Sequence, residues 1–217
     1  MTKAAKAPST GLAMGVAALF AFVFAGGTAV GAGGMPLAED LPEGTIAVVA
    51  FVRPSLGRIT KAELQRALVQ AAAGAGREGL PKRGGRAYRR LEKTAFGELL
   101  DAVWIRGQAA EMAIAVSPRQ VSRELARLLK QSFENRAEYH RFLREAHYSR
   151  RDVRERVELQ MLGVRMQERI SRGVDSRAEE RDAFAKFAEA YSDRWRSRTF
   201  CAPPYATERC VNGPPPS

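Results

Sequence analysis

A hydroxyl side chain standing three places before an acidic or amide one, followed by apolar residues at intervals of three and four, constrains this chain more than any other feature. In the stretch from Thr60 to Glu63 a Thr oxygen and a Glu carboxylate are spaced to satisfy the free amides of a helix start, and Leu64, Ala67, Leu68 and Ala71 follow on one face. Ser117, Pro118 and Gln120 repeat the signal, with Ser as N-cap and Pro at the first helical position; Val121, Leu125, Leu128 and Leu129 form that helix's face. Ser149 with Asp152 opens a third, presenting Val153, Val157, Met161, Val164 and Ile170, with Gly173 as its stop. Periodicity alone predicts a long amphipathic helix over 88–112 (Leu91, Ala95, Phe96, Leu99, Leu100, Val103, Trp104, Gly107, Ala110). It also predicts a short helix over 137–145 (Tyr139, Phe142, Leu143) and a last one over 177–196 carrying Phe184, Phe187, Ala188, Tyr191 and Trp195. Six residues, Gly74, Gly76, Gly79, Pro81, Gly84 and Gly85, make a flexible basic loop. Only Thr45 to Val52, ending at Pro54, Ser55 and Gly57, is β-branched and apolar enough to read as a strand. The predicted fold is all-α with one short N-terminal strand.

The first forty residues address the chain to a membrane. Lys3 and Lys6 precede an uncharged run from Ala7 to Ala38 whose most apolar part, Leu12 to Ala25, reads LAMGVAALFAFVFA. A basic start, an apolar stretch and small residues afterwards match a secretory signal, with Val30, Gly31 and Ala32 as a cleavage site. Gly11 to Val30 is also 20 residues, roughly a bilayer-spanning helix, and both readings stand. No Cys follows the run, which excludes lipid attachment there. The two lysines favour a cytoplasmic N-terminal side, so everything from about Glu39 is expected outside the cytoplasm: exported, and either anchored to the cell membrane or released into the envelope. The chain then divides into an N-terminal signal or anchor with linker (1–38), a helical domain (39–198) and a C-terminal tail (199–217). In an oxidising compartment Cys201 and Cys210, the only two cysteines, are most simply a disulfide closing a small tail loop.

Charge and composition exclude more than they assign. The chain has 35 basic against 24 acidic residues, a formal +11, with 28 Arg and 7 Lys. Export argues against a nucleic-acid partner, and Arg interleaved with Glu, as in RRDVRERVELQ, reads as a solvated face laced with ion pairs. His140 and His147 are the only histidines and stand seven apart, without a third ligand, which is not metal-binding spacing. Two cysteines cannot build a four-thiolate zinc site. The carboxylates Glu63, Glu98, Asp101, Glu111, Glu124 and Asp152 fall at caps or on polar faces, where Arg pairing is their usual role. The glycine-rich loop has no GxxxxGK[ST] and follows a helix, so no phosphate cradle is predicted. No catalytic, cofactor-binding or metal-ligating residue is expected.

Four stretches in order carry a resemblance. TIAVVAFVRPSLGRITKAEL (Thr45 to Leu64) looks like a strand, a turn and an ITKAE helix start, with a longer turn containing Pro54 in place of a short NG turn. ELLDAVWIRGQAAEMAIAVSPRQVSREL (Glu98 to Leu125), KQSFENRAEYHRFLREAHYSRRDVRERVELQMLGVRMQERI (Lys130 to Ile170) and WRSRTFCAPPYATERCVNG (Trp195 to Gly213) follow. Together they resemble the N-terminal chaperone domain of the SurA/PrsA-type foldases, in their actinobacterial form, related to the trigger-factor fold. The resemblance implies ATP-independent binding of unfolded or newly translocated polypeptide. Those foldases carry a parvulin prolyl isomerase domain before the last helix, and here only Ser171 to Arg177 lies there. No positions exist to receive isomerase residues, though the family label remains isomerase-linked. Met112, Met161 and Met166 are candidate adaptable client contacts, or core filling. The expected partners are unfolded clients and, through the N-terminal segment, the membrane. The alternative is a tethered structural or adaptor protein docking polyanions or a partner through a basic helical face.

Overall fold

The computed structural model describes residues 41–213; the predicted signal or anchor lies outside them. Among the described residues no helix is long and apolar enough to cross a membrane.

The predicted strand is the centre of a small sheet. β1 (Thr45–Val49) pairs antiparallel with β2 (Arg58–Thr60) on one side and β3 (Thr199–Cys201) on the other, with Ala47 opposite both Ile59 and Cys201. Ile46, Ala47 and Val49 are buried. The strand ends at Val49 and not at Val52, because Phe51 takes a left-handed conformation (φ 64°) and turns the chain toward a one-turn helix, α1 (Pro54–Gly57). The expectation of a single strand is corrected to three. β2 and β3 are three residues each, too short for alternation to register, and the β1–β3 pairing spans nearly the whole described chain.

Helix dominates elsewhere. α2 (Lys61–Gly74) opens with the predicted reciprocal box: Glu63 N–H donates to Thr60 Oγ1 at 3.2 Å and Thr60 N–H to Glu63 Oε2 at 2.8 Å. It packs along α3 (Arg86–Glu111), and Leu64 and Leu68 meet Tyr88, Phe96, Leu100 and Trp104 in the main core beneath the sheet. α7 (Arg177–Ser197) adds Trp195 to this core. The tail is built into the same core: a 3-10 turn (Pro203–Tyr205) sets Tyr205 against Phe96, and Cys201 and Cys210 are joined with Cα atoms 5.9 Å apart. Arg209 bonds Asp101 and the Gly97 carbonyl (3.0 Å) and lies 4.3 Å over the Trp104 ring.

One hydroxyl joins the sheet to two helices. Thr199 Oγ1 accepts from Trp104 Nε1–H at 2.8 Å and donates to the Trp195 carbonyl at 2.7 Å, all of it buried. Thr199→Val keeps the volume and leaves the indole donor without a partner, so denaturant titration is expected to show a loss of about 1–3 kcal/mol. At the C-terminal end of α3, Glu111 accepts from Arg194 of the last helix (2.9 Å) and from Arg198, the residue that caps it. Partial burial opposes its ionisation, but the two guanidinium groups outweigh it and hold the carboxyl below its ordinary value. That stability is present above the unfolded carboxylate pKa and is lost as pH falls through the lowered one. A wild-type stability profile should therefore fall more steeply between about pH 5 and 3 than that of Glu111→Gln.

Candidate functional site

Three helices form a unit beside the main core. α4 (Pro118–Ser132), α5 (Arg136–Glu145) and the first half of α6 (Arg150–Ile170) enclose a separate apolar cluster of Tyr139, Leu143 and Val153. Around it pack the half-buried Leu125, Leu129, Phe133, Phe142 and Tyr148. The local chemistry places each of them. The Ser117–Gln120 and Ser149–Asp152 boxes start α4 and α6 as predicted. Phe133 leaves α4 in an extended conformation and turns its ring onto Tyr139 (5.3 Å) and Phe142 (5.4 Å). Asn135 caps α5, its side chain accepting from Glu138 N–H at 3.0 Å. α5 closes with His147 left-handed (φ 55°) and Tyr148 N–H returning to the Leu143 carbonyl at 2.9 Å, a Schellman end. That end sets Tyr148 6.0 Å from Phe142.

The seam between this unit and the rest of the domain is polar. Gln70 Nε2 of α2 donates to Asp152 Oδ2 (3.2 Å) and to the His147 carbonyl (3.3 Å). Arg156 stands 3.7 Å from Glu98 and Arg106 3.6 Å from Glu158, across α3 and α6. Arg156 also lies 4.7 Å over the Tyr148 ring, whose hydroxyl pKa is raised by burial, with Arg156 opposing. Ion pairs this exposed contribute about 0–1 kcal/mol each. The unit is thus apolar inside and polar where it meets the body.

The two halves of α6 bury different faces. Val153 and Val157 are buried as expected, but Leu162 and Met166 continue the buried set, and Val164 is 40% exposed. The five-residue step from Val157 to Leu162 turns the stripe by more than a third of a turn. The second half thereby meets Ile105 and Ala109 of α3 and Phe187 of α7, whereas the first half meets α4 and α5.

The residues singled out from sequence disperse. Met166 is 2% exposed in that second cluster, so its side chain is not presented at the surface; Met112 is half-buried at the cluster's edge. Met161 is half-buried on a neighbouring face of α6. None of the three joins the aromatic group. Cys201 and Cys210 are fully buried beside the sheet. His140 is 3.3 Å from Arg150, and Glu98, Asp101, Glu111 and Glu124 each face an Arg. Among the described residues no three His, Cys, Asp or Glu side chains are grouped to hold a metal. The residues passed over are Phe133 and Tyr148. Their signal was density: four aromatics fall within 133–148 in a chain that is 8% aromatic.

No family model matches the chain, and no curated protein or solved structure is similar to it.

Proposed function

We propose that this is an extracytoplasmic, ATP-independent chaperone-type protein that binds unfolded or newly translocated polypeptide through the α4–α5–α6 unit. The observation that carries the reading is the aromatic cluster of Phe133, Phe142 and Tyr148, half-buried and separate from the main core. Aromatic rings offer large apolar area with few rotors to immobilise, and their partial exposure suits weak, exchangeable contacts with apolar segments of many sequences. With no nucleotide motif in the sequence, release follows from modest affinity and client folding. The buried Cys201–Cys210 disulfide supports an oxidising compartment, as does the apolar run from Ala7 to Ala38. The foldase resemblance points the same way. Because α6 ends at Ile170 and α7 begins at Arg177, the intervening loop leaves no room for a catalytic domain of on the order of 100 residues. The proposed activity is therefore binding without isomerisation, and a proline-peptide assay should return background rates.

The test is suppression of aggregation of a reduced, denatured client by an equimolar amount of the full chain. Wild type is expected to suppress aggregation and to bind extended apolar peptides. Phe142→Ser/Tyr148→Ser should lose most of both while keeping the helical circular dichroism of the body. Binding to polyanions with no affinity for unfolded protein would instead select the tethered adaptor.

A further inference from the structure

A second surface feature lies where the start of α4 meets the early turns of α6. Pro118, Arg119, Ser122, Arg123 and Arg154 line a shallow cleft of about 370 Å³. Three guanidinium groups share it and no carboxylate lines it. None of the three has a carboxylate within ion-pairing distance among the described residues, although eight other such pairs form in this Arg-rich domain. Arg154 is aimed by its own bond, Nη2 to the Pro118 carbonyl at 2.9 Å, and Arg165, three turns further along α6, bonds the Ala115 carbonyl. These bonds hold the start of α4 and the residues just before it without neutralising either charge.

The arrangement is electrostatically unfavourable by itself. Arg119 and Arg123 are four residues apart on one helix, where like charges repel. Arg119 also sits in the first turn of α4, at the positive end of the helix dipole. The first turns of α2, α5, α6 and α7 each hold an acidic residue, and those of α3 and α4 hold none. A multivalent oxyanion relieves all of these repulsions together. Guanidinium forks match the oxygens of a phosphate group in paired hydrogen bonds, which a carboxylate of one charge does less fully.

We propose that this cleft is a binding site for phosphate-bearing anions, held by Arg119, Arg123 and Arg154. The phosphate belongs either to a lipid headgroup or to a soluble polyphosphate. This proposal is independent of the polypeptide-binding reading, since it uses the opposite chemistry and none of the aromatic residues.

The experiment titrates the full chain, kept in detergent, with inorganic tripolyphosphate in a calorimeter at two salt concentrations. Binding is expected to weaken with salt and to fall by about tenfold or more in R119Q/R123Q. R136Q/R141Q on α5 removes the same charge from exposed positions outside the cleft and should stay within about twofold of wild type. Thermal midpoints confirm that both variants remain folded. A parallel arm compares wild type with R119Q/R123Q on phosphatidylcholine vesicles with and without phosphatidylglycerol, so that any contribution of the N-terminal segment is common to both proteins. A phosphatidylglycerol-dependent gain that R119Q/R123Q lacks supports the site with a lipid headgroup as source. Response to tripolyphosphate alone supports it with a soluble source. Three results overturn the proposal: no binding of tripolyphosphate by wild type, equal losses in the two variants, or equally tight binding of polyglutamate at the cleft.

Discussion

Trp195→Ala is expected to destabilise the domain by about 3–5 kcal/mol in denaturant titration, the cost of removing one of the core's two tryptophans and leaving its volume empty. Trp195 is 0% exposed, it packs where α7 meets α3, and its indole N–H donates to the buried Gln108 Oε1 at 2.9 Å. Truncation therefore opens a cavity and strands an amide as well. The fit depends on Gly107. A Cβ added there would lie 2.2 Å from Trp195 Cη2, far inside any tolerated contact. Gly107→Ala should cost about 1–3 kcal/mol by overpacking, although alanine is the better helix former. Since the glycine is required only by the indole, the two effects are coupled. In a Trp195→Ala background, Gly107→Ala is expected to become neutral or stabilising, and additive losses in the double variant would refute the contact as the cause.

The second large effect concerns the tail. Removing the Cys201–Cys210 bond, by Ser substitution or by reduction, is expected to lower stability by about 2–3 kcal/mol from loop entropy alone. Burying two hydroxyls at fully enclosed positions makes the substituted form worse than the reduced one. The bond holds more than itself. Asn212 exchanges hydrogen bonds with both backbone groups of Cys201 (3.1 and 2.8 Å), Val211 N–H reaches the Thr199 carbonyl (2.8 Å), and Lys93 meets Glu208 at 3.0 Å. Freeing residue 210 loosens the strap that lays Arg209 over Trp104, so reduction should also red-shift tryptophan emission. A midpoint unchanged by reductant would mean that the side chains of the tail, and not the bond, hold it in place.

Much of the helical layout could be read from residue spacing because helix starts announce themselves. The boxes at Thr60, Ser117 and Ser149 form as their side chains predict. A fourth, Ser176 with Glu179, and the Asn135 cap are equally good signals that periodicity alone had already covered. Helix ends were harder for a physical reason. α3 and α5 both close with Schellman turns, yet the left-handed position that glycine usually takes is held by Ala113 and His147, so composition marks neither. β2 and β3 escaped because three residues carry no period. Tyr139 and Phe142 were legible on the face of α5, but Phe133 and Tyr148 were not, because they sit just beyond the ends of α4 and α5, where spacing rules do not reach. Of the three methionines, Met166 is buried by the packing of α6, and Met112 and Met161 lie half-buried apart from the aromatic group.

The central strand waits for both ends of the chain. β1 has one partner a dozen residues away and another about 150 residues further on, at Thr199–Cys201. As the chain folds, the helices can form locally, but β1 keeps an open, apolar edge until Thr199 to Cys201 docks on it.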